Sequence, residues 1–127
     1  MPAPASFDYA TLRVVPRVER QEFINAGVVV LCLEKRYLAA RIRLDRERLK
    51  ALWPEVDVDL VAQHLEAIVR ICNGDPAAGP VALLSERERF HWIVAPRSTI
   101  LQPSPVHTGV CDQPEGLLDR LEKQFLS

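Results

Sequence analysis

The sequence predicts one α+β domain. Its sheet is mainly antiparallel, opened by an N-terminal three-stranded meander and completed by short later strands, and helices cover it. Three observations carry that expectation. Apolar and polar residues alternate over residues 7–18 and again over 37–44, the period of a half-buried strand. Between them, residues 24–33 are nearly all apolar, the pattern of a strand covered on both faces. Further along, apolar residues step by three and four, the spacing of amphipathic helices. The helices are expected on one face of the sheet.

In the first strand Ala10, Leu12, Val14, Pro16 and Val18 alternate with Tyr9, Thr11, Arg13 and Arg17. Pro16 lacks a ladder donor and argues for an edge position or a bulge. The second strand carries Ile24, Ala26, Val28, Val29, Val30, Leu31, Cys32 and Leu33. A charged turn, Glu34-Lys35-Arg36, joins it to a third strand in which Leu38, Ala40, Ile42 and Leu44 share a face opposite Tyr37, Arg41 and Arg43. Asp45 is placed to cap a short helix carrying Leu49, Leu52 and Trp53, which Pro54 ends. Asp57 or Asp59 caps a longer one, striped by Val58, Val61, Leu65, Ile68 and Cys72 and stopped by Gly74. The stretch 75–80, Asp-Pro-Ala-Ala-Gly-Pro, reads as a stiff loop. Ser85 and Glu88 form a capping box for a short helix leading into Phe90 and Trp92. Aromatics at that spacing are expected on one side of a strand, filling core. Residues 93–111 hold three prolines and many hydroxyls, so short strands joined by ordered loop are expected. A last amphipathic helix covers 114–126, with Leu117, Leu118, Leu121 and Phe125 inward.

Composition bounds the function classes. The chain has 127 residues, 48% hydrophobic and 26% charged, the balance of a folded domain with a real core. Residues 1–6 are expected as a flexible N-terminus and 7–127 as the single domain. No apolar run is long enough to cross a membrane, and Met1–Ser6 lacks the features of a signal peptide. Cys32, Cys72 and Cys111 are odd in number and show no close pairing, which favours free buried thiols and a reducing cytoplasm. His64, His91 and His107 are scattered, so neither a metal site nor a cofactor is expected. Asp57-x-Asp59 resembles a metal-binding pair, but its place at a helix start favours capping.

The net charge is only −1, which disfavours bulk binding to nucleic acid. It is unevenly spread: residues 13–50 carry ten basic and five acidic side chains, a net of +5 against −6 elsewhere. Arg13, Arg17, Arg41 and Arg43 occupy alternate strand positions. Clustered guanidiniums need neighbouring acids or a bound anion. Neutralisation by acidic helices is the better-supported of the two explanations.

Two polar clusters stand out. The first packs Arg17, Glu19, Arg20, Glu22 and Asn25 between strands one and two. It reads either as a surface turn with exposed ion pairs or as planar forks for a phosphate or carboxylate. Gly27, just after Asn25, is a candidate bulge. The second gathers Arg97, Ser98, Thr99, Gln102, Ser104, His107 and Thr108, stiffened by Pro96, Pro103 and Pro105. Arg97 with Ser98 and Thr99 suits an anion. His107 is the one weak catalytic candidate, as a base on Ser104 or a water, because histidine titrates nearest neutrality. A hydrogen-bonded structural role is the stronger reading, since spacing names no group to orient the ring.

The stretch Arg13-Val-Val-Pro-Arg17-Val-Glu-Arg-Gln-Glu-Phe-Ile-Asn25-Ala-Gly27-Val resembles the first motif of a bacterial family catalogued as domain of unknown function 3037. Arg89-Phe-His-Trp92-Ile-Val-Ala-Pro-Arg97-Ser-Thr99 and Ser104-Pro-Val-His107-Thr-Gly109 resemble its second. The resemblance covers nearly the whole chain and departs at Ala26, where the family often has valine. It implies no activity. It does imply a partner or accessory role, since members are often encoded beside HipA-like kinases.

The expected function is a non-catalytic binding or accessory module. Its ligand-binding set would be Arg13, Arg17, Glu19, Arg20, Asn25, Arg97, Ser98, Thr99, Ser104, His107 and Thr108, with Arg17 and Arg97 converging in one pocket. The expected partners are a small anionic ligand or a HipA-like kinase. A phosphate-directed hydrolase using His107 and Arg97 is the first alternative, and a nucleic-acid-binding regulator the second.

Overall fold

The computed structural model describes residues 4–97 and 99–126. Five strands, β1 (Ala5–Val14), β2 (Ile24–Cys32), β3 (Tyr37–Ile42), β4 (Leu101–Pro103) and β5 (His107–Cys111), form one antiparallel sheet. Among the described residues four α-helices accompany it: α1 (Arg46–Leu52), α2 (Val58–Cys72), α3 (Glu86–Val94) and α4 (Pro114–Leu126). The strand order is β3-β2-β1-β4, and β5 also pairs β1. β4 and β5 therefore follow one another along the same side of β1.

β1 starts two residues before the alternating segment 7–18 and stops at Val14. The Val15 N–H still donates to the Ile100 carbonyl at 2.7 Å. Pro16 has no N–H to continue the ladder. The chain then turns through a 3₁₀ segment, Val18–Arg20, and Gln21 in the left-handed region. Arg17 thus lies beyond the strand and is not part of the arginine row.

β2 is buried on both faces, as its apolar run predicts. Its register against β1 shifts between Leu12 and Arg13, which pair Gly27 and Asn25 and leave Ala26 as the extra residue. Gly27 is needed there for space. A Cβ would stand 2.7 Å from Ile42 Cδ1 and 3.2 Å from the Arg41 carbonyl oxygen.

The helices do not share one face, and this corrects the sequence expectation. α1, α2 and α3 cover the face bearing Ala10, Leu12, Val14, Val29, Leu31 and Leu38. α4 covers the opposite face, where Leu117, Leu118 and Leu121 pack on Phe7, Val28, Val30 and Cys32. A helical stripe reports that one side is buried, but not against which face of the sheet. Arg41 closes this second layer by donating to Asp119 Oδ1 at 3.0 Å and to Glu122 Oε1 on α4.

The caps follow the sequence. Asp45 accepts from the Arg48 N–H, Asp57 from the Leu60 N–H and Ser85 from the Glu88 N–H. Asp57 is the cap of α2, and Asp59 instead receives Arg46. The helix started by Ser85 runs through Phe90 and Trp92 to Val94, so these aromatics are helical and not on a strand. Two residues apart on a helix they point in different directions: Phe90 is 1% exposed and Trp92 42%.

Candidate functional site

The second polar cluster begins where α3 ends. Pro96 disfavours helix in the residue before it, so the chain leaves the helix at Ala95. Arg97 then folds back over the helix end. Its Nη2 donates to the Trp92 carbonyl and its Nε to the Ala95 carbonyl at 3.3 Å. The guanidinium lies over the Trp92 ring, 4.9 Å from the centroid. A cation at a helix C-terminus is favourable, and the stacking adds to it. Beyond it, Thr99 Oγ1 donates to the Leu101 carbonyl and Gln102 Nε2 to the Thr99 carbonyl, both at 2.9 Å. Ser98 lies outside the described residues.

This fixed segment walls a cavity of about 320 Å³. The opposite wall is α2, through His64, Ala67, Ile68 and Ile71. These positions lie along one side of the helix and share Ile68 and Ile71 with the core. Ile100 and Leu101 complete an apolar interior, while His64, Arg97 and Thr99 supply polar groups. Sequence reasoning missed His64 and Ala67. Their signal was the spacing 64, 67, 68, 71, which the overlapping stripe of core residues obscured.

Arg17 does not reach this cavity. It borders a separate cleft with Pro16, Glu19, Trp53, Pro54 and Glu55. Its Nε donates to Glu19 Oε1 at 2.9 Å, and Arg20 pairs with Glu22 in the same way. Both pairs are exposed, and such pairs contribute little to stability. Glu19's own backbone N–H, and then the Arg17 guanidinium, hold its carboxyl below the usual range. The shared pocket expected for Arg17 and Arg97 does not form.

Ser104, His107 and Thr108 belong to the edge of the sheet. Between β4 and β5 the pairing with β1 slips by one residue around Ser104-Pro105. Ser104 bridges the slip. Its N–H donates to the Thr11 carbonyl, its Oγ accepts the Thr11 N–H, and its hydroxyl donates to the Pro105 carbonyl, each at 2.9 Å. His107 pairs with Tyr9 in register and stacks on its ring at 5.2 Å. Among the described residues it makes no hydrogen bond to Ser104. Thr108 Oγ1 donates to Asp8 Oδ1 at 2.7 Å. The prolines thus shape an edge strand that resists further pairing.

Arg13 is the point where the two polar clusters meet. On β1 it is paired by Asn25 of β2 on one side and Gln102 of β4 on the other. Its guanidinium lies 4.3 Å from the centroid of the Phe23 ring.

Among the described residues, no three His, Cys, Asp or Glu side chains gather as a metal site, and no helix is long and apolar enough to cross a membrane. The model of a family described as Protein of unknown function (DUF3037) matches residues 9–126. No curated protein and no solved structure matches the chain.

Proposed function

The chain belongs to the DUF3037 family, and from that premise we propose that it is a non-catalytic binding module whose ligand is a small anion with an apolar body. The observation that carries this reading is the cavity between α2, α3 and the entry to β4. Its interior is apolar, from Ala67, Ile68, Ile71, Ile100 and Leu101, and its polar groups include a guanidinium and an imidazole. At about 320 Å³ it falls at the small end of ligand pockets. Arg97 is pre-set there by two carbonyls and the Trp92 ring, so little freedom remains to be lost on binding. Its Nη1 has no protein acceptor among the described residues and is available to a carboxylate. The engagement of the Ser104 hydroxyl on both sides supports a binding role over a hydrolytic one.

The test is calorimetric titration with octanoate and phenylpropionate, each against its neutral alcohol. The carboxylates should bind saturably and tighter than the alcohols. Arg97→Ala should remove that preference, and Ala67→Phe, which fills the cavity and leaves Arg97, His64 and Thr99 in the sequence, should remove binding altogether. Equal binding of acids and alcohols, or binding unchanged by Ala67→Phe, overturns the reading.

A further inference from the structure

Nine of the thirteen arginines are exposed, and four are half-buried: Arg13, Arg41, Arg89 and Arg97. Three of the four are bound. Arg41 meets Asp119 and Glu122, Arg89 meets the carbonyls of Ile71, Cys72 and Leu84, and Arg97 meets those of Trp92 and Ala95. Arg13 alone has no acceptor among the described residues, and its Nε is fully buried without a hydrogen-bond partner.

That arrangement is costly. A buried charged donor left unpaired forfeits its hydration without a hydrogen bond in return. The Phe23 ring covers one face of the guanidinium but offers no acceptor. Nη1 and Nη2 are neither bonded nor among the buried unpaired atoms, so this edge of the fork reaches solvent. The surroundings are equally unfinished. The apolar cluster closed by α4 extends along β1 as far as Tyr9 and stops short of Arg13. Phe23, which stacks on Arg13 from the β1–β2 connection, remains 43% exposed, and Val18 of the same connection 39%.

We propose that Arg13, backed by Phe23, is a docking site for an acidic peptide segment of a partner protein, with a Glu or Asp carboxylate on the open edge of the guanidinium. A planar carboxylate matches the two-pronged Nη edge and neutralises the charge shared across the guanidinium, while the buried Nε–H itself stays without an acceptor. The exposed aromatic beside it favours a peptide over a free ion, because a neighbouring apolar side chain would cover Phe23. Arginine and aromatic anchors of this kind dominate protein–protein contacts. This site is independent of the cavity under Arg97.

The test follows the Arg13 Nε–Hε signal by NMR, since a buried N–H exchanges slowly enough to be seen. The probes are a hexapeptide alternating Glu and Leu, its Lys-for-Glu counterpart, acetate and inorganic phosphate. The acidic peptide should shift the signal saturably, and the Lys peptide should not. In intrinsic fluorescence titrations, Arg13→Gln and Arg13→Lys should each weaken the peptide at least tenfold, and Phe23→Ala severalfold. Ala67→Phe should change nothing, which separates this proposal from the cavity. Absence of a saturable shift, equal binding of the Lys peptide, or tighter binding of acetate or phosphate than of the peptide overturns it. So does unchanged affinity in Arg13→Lys and Phe23→Ala; their folds are checked by circular dichroism.

Discussion

The Arg89 guanidinium, on α3, donates to the Cys72 carbonyl at the end of α2, at 2.8 Å. The same Nη1 reaches the Ile71 carbonyl at 3.0 Å, and Nε reaches Leu84. One side chain thus caps α2, holds the intervening loop and fixes α3 against both. Residues of these two helices, Ile71 and Trp92 among them, line the cavity. Arg89→Ala should destabilise the fold by about 2–3 kcal/mol, the scale for losing charge-assisted bonds to half-buried carbonyls. Lysine has one donor centre where arginine has a fork, so Arg89→Lys should recover less than half of the loss. Urea denaturation of the three proteins checks both.

At Gly27 the constraint is steric. A methyl group there would meet Ile42 Cδ1 at 2.7 Å and Leu12 Cδ1 at 3.1 Å. Gly27→Ala should cost about 1–3 kcal/mol, the range for overpacking a filled core. Ile42→Val deletes the offending Cδ1. The double variant should therefore be more stable than the sum of the two single losses implies, by a margin visible in a double-mutant cycle.

What the sequence made legible was local. Asp45, Asp57 and Ser85 each cap a helix through a backbone N–H three residues on, and a contact that short is written in the order of residues. The doubly buried β2 was legible because both faces of one strand are apolar. Placement was not. Nothing in the stripe of Leu117, Leu118 and Leu121 says which face of the sheet α4 covers. Once it covers the Val28 face, its Asp119 and Glu122 neutralise Arg41 and leave Arg13 unpaired. The alternating arginines showed a basic face, and only the packing decides which of them is satisfied. Phe90 and Trp92 misled for a different reason. A spacing of two suits a strand, but the Ser85 cap and the run through Val94 are stronger local determinants.

Ser104 separates a structural hydroxyl from a reacting one. Its Oγ is the acceptor for the Thr11 N–H, which the slipped register leaves without a carbonyl. Ser104→Ala should expose that donor's full desolvation cost, about 1–3 kcal/mol. Amide exchange at Thr11 should accelerate far more than at Val29, in the centre of the sheet. Octanoate binding should be retained. Loss of binding with unchanged Thr11 exchange would give Ser104 the ligand contact that its hydrogen bonds argue against.

The Cys72 thiol makes stability fall at alkaline pH. Burial pushes its pKa up from 9.0 to about 12, with the Arg89 charge opposing the shift. Below about pH 9 the thiol is protonated in both folded and unfolded chains, and its contribution is constant. Above that, the unfolded chain releases the proton while the folded one holds it. Unfolding therefore becomes more favourable as pH climbs through the window between the two values. One pH unit into it, the loss is about 1 kcal/mol from this group. Cys72→Val removes the group and so removes that slope. The variant should lose less stability than the wild type between about pH 8.5 and pH 10.5, measured by urea denaturation across the range. Parallel profiles would mean that Cys72 ionises as readily in the folded protein as in the open chain, which its burial between the sheet and α3 does not allow.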